Sequence, residues 1–332
     1  MKVYSSVLLV TILIVFSNQS SAQMLCVPES GDDLTSHCDY CQCAQGISPL
    51  ETGATGIRFD VRSLYRNAFY KGAIKQEDET GTYESYLTSQ IIVNYRFSES
   101  PISVSAAIPF VSRSSHDPQE ESINVKGEGL GDISALLRYQ NQWYNGESLI
   151  GYSISAGMKF ATGSTRSTNS AGEMLDAHIR PGSGTTDVLF GMAGIWALER
   201  VGFTAHLGAG IVEGNGAPTE AGMHKFGNYL LGEFVARYRL LPDEASESNF
   251  SLTFGLGGET HARETVDNKD VLSSGETLLY ITPGVRCLFS MKLAFDASIE
   301  IPIYQYLGWD SAEEEIQLGQ AYRIIAGLQY SW

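Results

Sequence analysis

The sequence predicts an all-β protein, an antiparallel transmembrane β-barrel of about twelve strands, and three observations predict it. First, the stretch from Ala321 to Trp332 alternates Tyr322, Ile324, Ala326, Leu328, Tyr330 and Trp332 with Arg323, Ile325, Gly327, Gln329 and Ser331. One face is apolar, the other is mostly polar, and the stretch ends on an aromatic residue, as the sealing strand of an outer-membrane barrel does at the membrane edge. Second, from Ile57 onward, segments of roughly ten to sixteen residues repeat this period-two pattern, longer than the five or six residues usual for soluble strands. Third, the connections alternate between short and long, as periplasmic turns and outer loops do.

The chain opens with Lys2, an apolar run from Val7 to Phe16, and Ser20-Ser21-Ala22, whose small residues suit signal-peptidase cleavage before Gln23. Residues 1–22 are therefore expected to be a signal peptide, 23–54 a short cysteine-bearing periplasmic segment, and 55–332 the barrel. Leu25 before Cys26 is a poor lipoprotein site, so no lipid anchor is expected. No other run approaches eighteen apolar residues, which leaves no helical span beyond the signal. A mean hydropathy near zero fits a barrel, because alternation hides membrane strands from a sliding window. The net charge of −16 argues against a nucleic-acid partner, and nothing in the pattern calls for a cofactor.

In chain order, the apolar faces read Ile57, Phe59 and Val61; Leu87, Ile91 and Val93; and Ile102, Val104 and Ile108. The next three carry Ile133, Ala135 and Leu137; Ile150, Ile154 and Met158; and Val188, Phe190 and Met192. Val201, Phe203 and Leu207 follow, then Leu230, Phe234 and Tyr238, then Phe250, Leu252 and Leu256. Leu279, Ile281 and Val285, and then Leu293, Phe295 and Ile299, precede the sealing strand. None of these faces holds a charge, whereas the opposite faces hold Arg58, Asp60, Arg62, Arg66, Arg138, Lys159, Glu233, Arg237, Arg286, Asp296, Glu300 and Arg323. An Arg or Lys in lipid at the bilayer midplane costs about 2–4 kcal/mol, so the charged faces are expected to point inward.

Tight connections fall at Glu99-Ser100, Asn145-Gly146, Glu199-Arg200 and Ser290-Met291. Long polar segments, expected to be outer loops, span 71–82, 112–128, 163–182, 212–225, 264–276 and 305–320. Both termini then lie on the periplasmic side. Aromatic residues gather near the short turns (Tyr95, Trp143, Trp196, Trp332) and near the long loops (Tyr65, Phe69, Phe160, Phe226, Tyr304, Trp309), as two membrane-interface girdles should. The acidic outer loops suit contact with lipopolysaccharide bridged by divalent cations.

Two glycine-containing segments stand out: Gly129-Leu130-Gly131-Asp132 before the fourth strand and Arg180-Pro181-Gly182-Ser183-Gly184-Thr185-Thr186-Asp187 before the sixth. At these places the chain resembles outer-membrane proteins grouped as the "MetA-pathway of phenol degradation" family, with Ala161 where that family often has proline and Ser183 where it often has threonine. The resemblance implies a barrel that passes small compounds, aromatic ones among them. Counting residues from the short turns places Asp132, Lys159 and Asp187 at similar heights on three consecutive strands, all inward, which predicts Lys159 between two acids as a charged lumen constriction or as a salt-bridge brace.

Cys26, Cys38, Cys41 and Cys43 lie before the first strand. Exported thiols in so short a segment suit two disulfides, for which three connectivities exist; the compact Cys38-x-x-Cys41-x-Cys43 group beside His37 and Asp39 also suits a soft metal such as copper or zinc. Cys287 is expected to face lipid. No histidine is followed two residues later by serine, as in outer-membrane phospholipases, and no hydrolytic dyad is indicated, so an enzyme is not expected. The expected function is passive passage of a small solute through a narrow barrel. The alternative is a non-transporting scaffold whose cysteine segment docks a periplasmic redox or metal-handling partner.

Overall fold

The computed structural model describes residues 55–332 except 77–80, 99, 117, 119–124, 170–171, 199, 241–248, 291 and 309–316. The signal peptide and all four N-terminal cysteines lie outside the described residues. The wall begins with β1 (Gly56–Lys71), β2 (Tyr83–Arg96), β3 (Ile102–His116), β4 (Ser134–Asn145), β5 (Ser148–Lys159) and β6 (Thr186–Ala197). It continues through β7 (Val201–Glu213), β8 (Tyr229–Arg239), β9 (Asn249–His261), β10 (Glu276–Ser290), β11 (Leu293–Leu307) and β12 (Gln317–Ser331). Each strand pairs antiparallel with its neighbour, and β12 pairs with β1 from Gly56↔Ser331 to Tyr70↔Gln317, which closes the barrel and removes both sheet edges.

The alternation sorts as the sequence predicts. Phe59, Ile91, Ile108, Leu137, Phe190, Phe234, Phe254 and Leu328 are all exposed on the outside, while Arg58, Asp60, Arg62, Arg138, Glu300 and Arg323 are buried within. Cys287 lies on the outward side of β10 and is a free, partly exposed thiol. Inside, Arg58 contacts Asp60 at 2.6 Å and Asp296 at 2.8 Å, and Arg323 contacts Glu300 at 2.7 Å. These pairings answer the cost of holding charge away from bulk water.

The long connections depart from simple polar loops. Segment 112–128 carries the end of β3 paired with Val125–Leu130, a ladder that continues the wall outward. Between that ladder and β4, the three residues Gly131, Asp132 and Ile133 stand opposite the two residues Ile108 and Pro109, so the chain bulges where Pro109 has no N–H to give. The extra residue resets the alternation: Leu130 is exposed, Ile133 is half-buried, and Asp132 turns inward. Segments 212–225 and 264–276 form a four-stranded cap sheet, Ala217–Thr219, Gly222–Lys225, Thr265–Val266 and Lys269–Asp270. Its last hairpin turns on Asp267 and Asn268, both at positive φ, where Asp and Asn are tolerated.

Segment 163–182 is the larger correction. It turns into the barrel, where Leu175, Ala177, Ile179 and Arg180 are all buried, as is Ser183 directly after it. Phe226, expected in the outer girdle, is likewise turned in and only 2% exposed, because it follows a cap strand that folds over the mouth.

Candidate functional site

The inturned segment crosses the lumen. Leu175 and Ile179 join Leu64 of β1 and Tyr86 of β2 in one buried cluster. Ala177 belongs to a second cluster with Ile92, Ala107 and Leu136 on one side and Leu189, Tyr229 and Leu231 on the other. The connection between β5 and β6 therefore reaches β1 and β2, about four strands away around the wall. Backbone meets backbone along the way: a Cβ on Gly127 would lie 2.1 Å from the Ile179 carbonyl oxygen, and one on Gly163 would lie 2.6 Å from the Gly182 Cα. Only glycine permits such approaches.

Polar anchors hold the segment. Arg113 of β3 donates to the carbonyls of His178 at 2.9 Å and Arg180 at 3.2 Å. Arg180 donates to the carbonyls of Thr165, Leu175 and Pro218, tying the segment to itself and to the cap.

At its base the structure brings together Asp132, Lys159 and Asp187. The strand register sets Lys159 between Ser134 and Asp187, and its ammonium lies 2.8 Å from Asp187 Oδ2 and 3.8 Å from Asp132 Oδ2. Lys159 also donates to Ser183 Oγ at 2.9 Å. Asp132 accepts from the Gly163 amide at 2.8 Å and from the Ser183 amide and hydroxyl at 2.9 and 2.6 Å. All three side chains are at most 1% exposed. They fasten both ends of the inturned segment to the wall. The two segments that carry the family resemblance thus meet, with Pro181 packed over Gly129 as well.

A further group went unnoticed in the sequence. In the cap sheet, Lys225 pairs with Thr265 and His224 with Val266, so the next position sets Phe226 opposite Glu264 and puts His224, Phe226 and Glu264 on one face. His178 of the inturned segment comes up beneath it. His178 Nε2 lies 3.0 Å from Glu264 Oε1, His224 Nε2 lies 2.9 Å from Glu264 Oε2, and His178 Nδ1 lies 2.7 Å from Asp176 Oδ1. Burial disfavours the charged imidazole of His178, but the Glu264 and then the Asp176 carboxylate outweigh it and hold the pKa up at about 10. No spacing in the sequence joins residues from three connections. The alternation of Leu175, Ala177 and Ile179 was the one local sign that this segment has a buried face.

His206 and His261 lie near Glu233 and Glu276 respectively.

No family model matches the chain, and no curated protein matches it. Among solved structures, an outer membrane channel from Pseudomonas putida F1 has a TM-score of 0.62 and 12% identity, covering 84% of this chain and 96% of that one. The fold is that of an outer-membrane β-barrel. The beta domain of the Bordetella autotransporter BrkA has a TM-score of 0.45 and 12% identity, covering 84% of this chain and 100% of that one. At such identities the likeness concerns fold alone.

Proposed function

We propose that this protein resides in the outer membrane, surrounded by lipid and lipopolysaccharide, and passes a small solute through a lumen that segment 163–185 constricts. The observation that carries this reading is the inturned segment itself, which crosses a charged lumen and, among the described residues, is held by side-chain anchors rather than by a strand ladder to the wall. Such an insertion is detachable without opening the barrel. The walls it separates differ in charge: Arg58, Arg62, Arg66, Arg113 and Arg138 stand on β1, β3 and β4, and Glu233, Glu259, Glu276 and Glu300 on β8 to β11. Asp60 on β1 and Arg237, Arg286 and Arg323 on β8, β10 and β12 offset part of this difference, but the asymmetry that is left favours dipolar solutes that orient across it. Small aromatic compounds are the class that the family resemblance suggests.

The filled lumen favours a second reading, the scaffold. Arg62, Arg138 and Arg323 are each 1% exposed, and a partner docked on the cysteine segment would need no passage through them. Planar-bilayer conductance separates the two. The wild-type barrel is expected to give small currents, and deletion of residues 166–178 to enlarge them several-fold. Silence from both proteins, each shown to be folded, would leave the scaffold.

A further inference from the structure

We propose that His178, His224 and Glu264 form a binding site for a divalent transition metal of the zinc class at the outer mouth, with Asp176 as the residue that orients His178. The inference does not depend on the channel reading.

The donor set comes first. Two imidazole Nε2 atoms and a carboxylate converge, with all three ligand atoms within 4.8 Å of one another, and the metal takes the place of the proton that His178 Nε2 holds toward Glu264, that proton being released to water. Zinc bonds of about 2.0–2.2 Å put neighbouring ligands of a tetrahedral site about 3.3–3.5 Å apart. The separations here, 3.0 Å and 3.2 Å from His178 Nε2 and 2.9 Å from His224 Nε2, fall just short of that edge, so a slight outward movement of the rings admits the ion. Nitrogen and oxygen donors with one position left for water suit zinc, nickel or copper rather than magnesium or calcium, which take oxygen ligands.

The surroundings agree. Metal-bound histidines usually give their other ring N–H to a carboxylate, and Asp176 accepts from His178 Nδ1 while also accepting the His178 backbone amide at 2.8 Å. Phe226 lies edge-on to both rings, with centroids 5.3 Å and 4.9 Å away, and supplies an apolar floor. Among the described residues, the Glu264 carboxylate is paired with the two histidines and with no lysine or arginine. The other comparable group, Glu259, His261 and Glu276, differs there: Arg323 stands 3.4 Å from Glu259 and Arg66 3.4 Å from Glu276, so its charge is already met by cations.

Metal bound here would join the inturned segment to the two connections that the cap sheet already pairs with each other. The test is zinc chloride titrated calorimetrically into the full-length, chelator-stripped protein in detergent, with the N-terminal thiols kept oxidised. One equivalent should bind to the wild type and be lost in the His178→Ala/His224→Ala protein. Asp176→Asn should weaken binding roughly tenfold or more without changing the stoichiometry. Glu264→Gln keeps the shape should the double variant fail to fold, and it too should lose the site, while magnesium chloride should not compete. Cobalt in place of zinc should give a visible absorption band that disappears with the same substitutions. Equal zinc binding by the wild type and Glu264→Gln, or no binding to the wild type at micromolar zinc, overturns the proposal and leaves an ion-pair cluster.

Discussion

Replacing Lys159 with alanine would show how the inturned segment is held. The ammonium sits 2.8 Å from Asp187 and 3.8 Å from Asp132, and none of the three side chains is more than 1% exposed. Alanine leaves two carboxylates together out of reach of water with no cation between them. Breaking a buried ion pair from one side costs about 3–5 kcal/mol. Asp132 keeps three hydrogen bonds, from the Gly163 amide and from the Ser183 amide and hydroxyl, whereas Asp187 keeps the one from the Thr185 hydroxyl. The loss should therefore fall on Asp187, toward the lower part of that range, about 3–4 kcal/mol. Adding Asp187→Asn to Lys159→Ala should recover at least about 1 kcal/mol, within the coupling expected of residues in contact. The assay is urea unfolding of the barrel in lipid vesicles, followed by tryptophan fluorescence, after each variant has shown a heat-modifiable band on a detergent gel. A loss below about 1 kcal/mol, or no recovery in the double variant, would refute the argument that buried charge fastens the segment.

Two other substitutions address the wall and the insertion. Ile108→Arg puts a charge into lipid near the middle of β3, where Ile108 is 43% exposed, and should cost about 2–4 kcal/mol in the same unfolding assay; an unchanged midpoint would mean that this face does not meet lipid. Gly127→Ala places a methyl group 2.1 Å from the Ile179 carbonyl oxygen, so the segment should leave the wall, seen as protease cleavage within 163–182 of a barrel that still shows the heat-modifiable band. Protection equal to the wild type would place that contact elsewhere.

The wall was legible because apolar side chains outside and charge inside impose period two on every strand, and the count from the short turns was enough to bring Asp132, Lys159 and Asp187 together. Even the inward direction of Asp132 was legible, although it depends on a bulge opposite Pro109 that alternation alone does not reveal. The inturned segment was not. Its polar composition matches an outer loop, and the burial of Leu175, Ala177 and Ile179 is supplied by residues on β1, β2, β6 and β8. Phe226 was misplaced for a related reason, since an aromatic residue beside a long loop fits the membrane interface as well as it fits a capped mouth. The histidines escaped because His178, His224 and Glu264 meet only once the cap sheet has paired.

The seam between β1 and β12 bears on how the chain reaches this state. Every other wall pairing joins strands that follow one another and can form as a local hairpin, whereas Gly56↔Ser331 joins residues at the far ends of the described chain. Pairing across so long a separation is slow, because the entropy of loop closure must be met before any contact rewards it. Until then, two long strand edges are bare, and an unpaired edge is a template for other chains. The vulnerable species in biogenesis is thus a nearly complete, unsealed sheet, and shielding of its edges, rather than assembly of individual hairpins, should limit the yield of closed barrel.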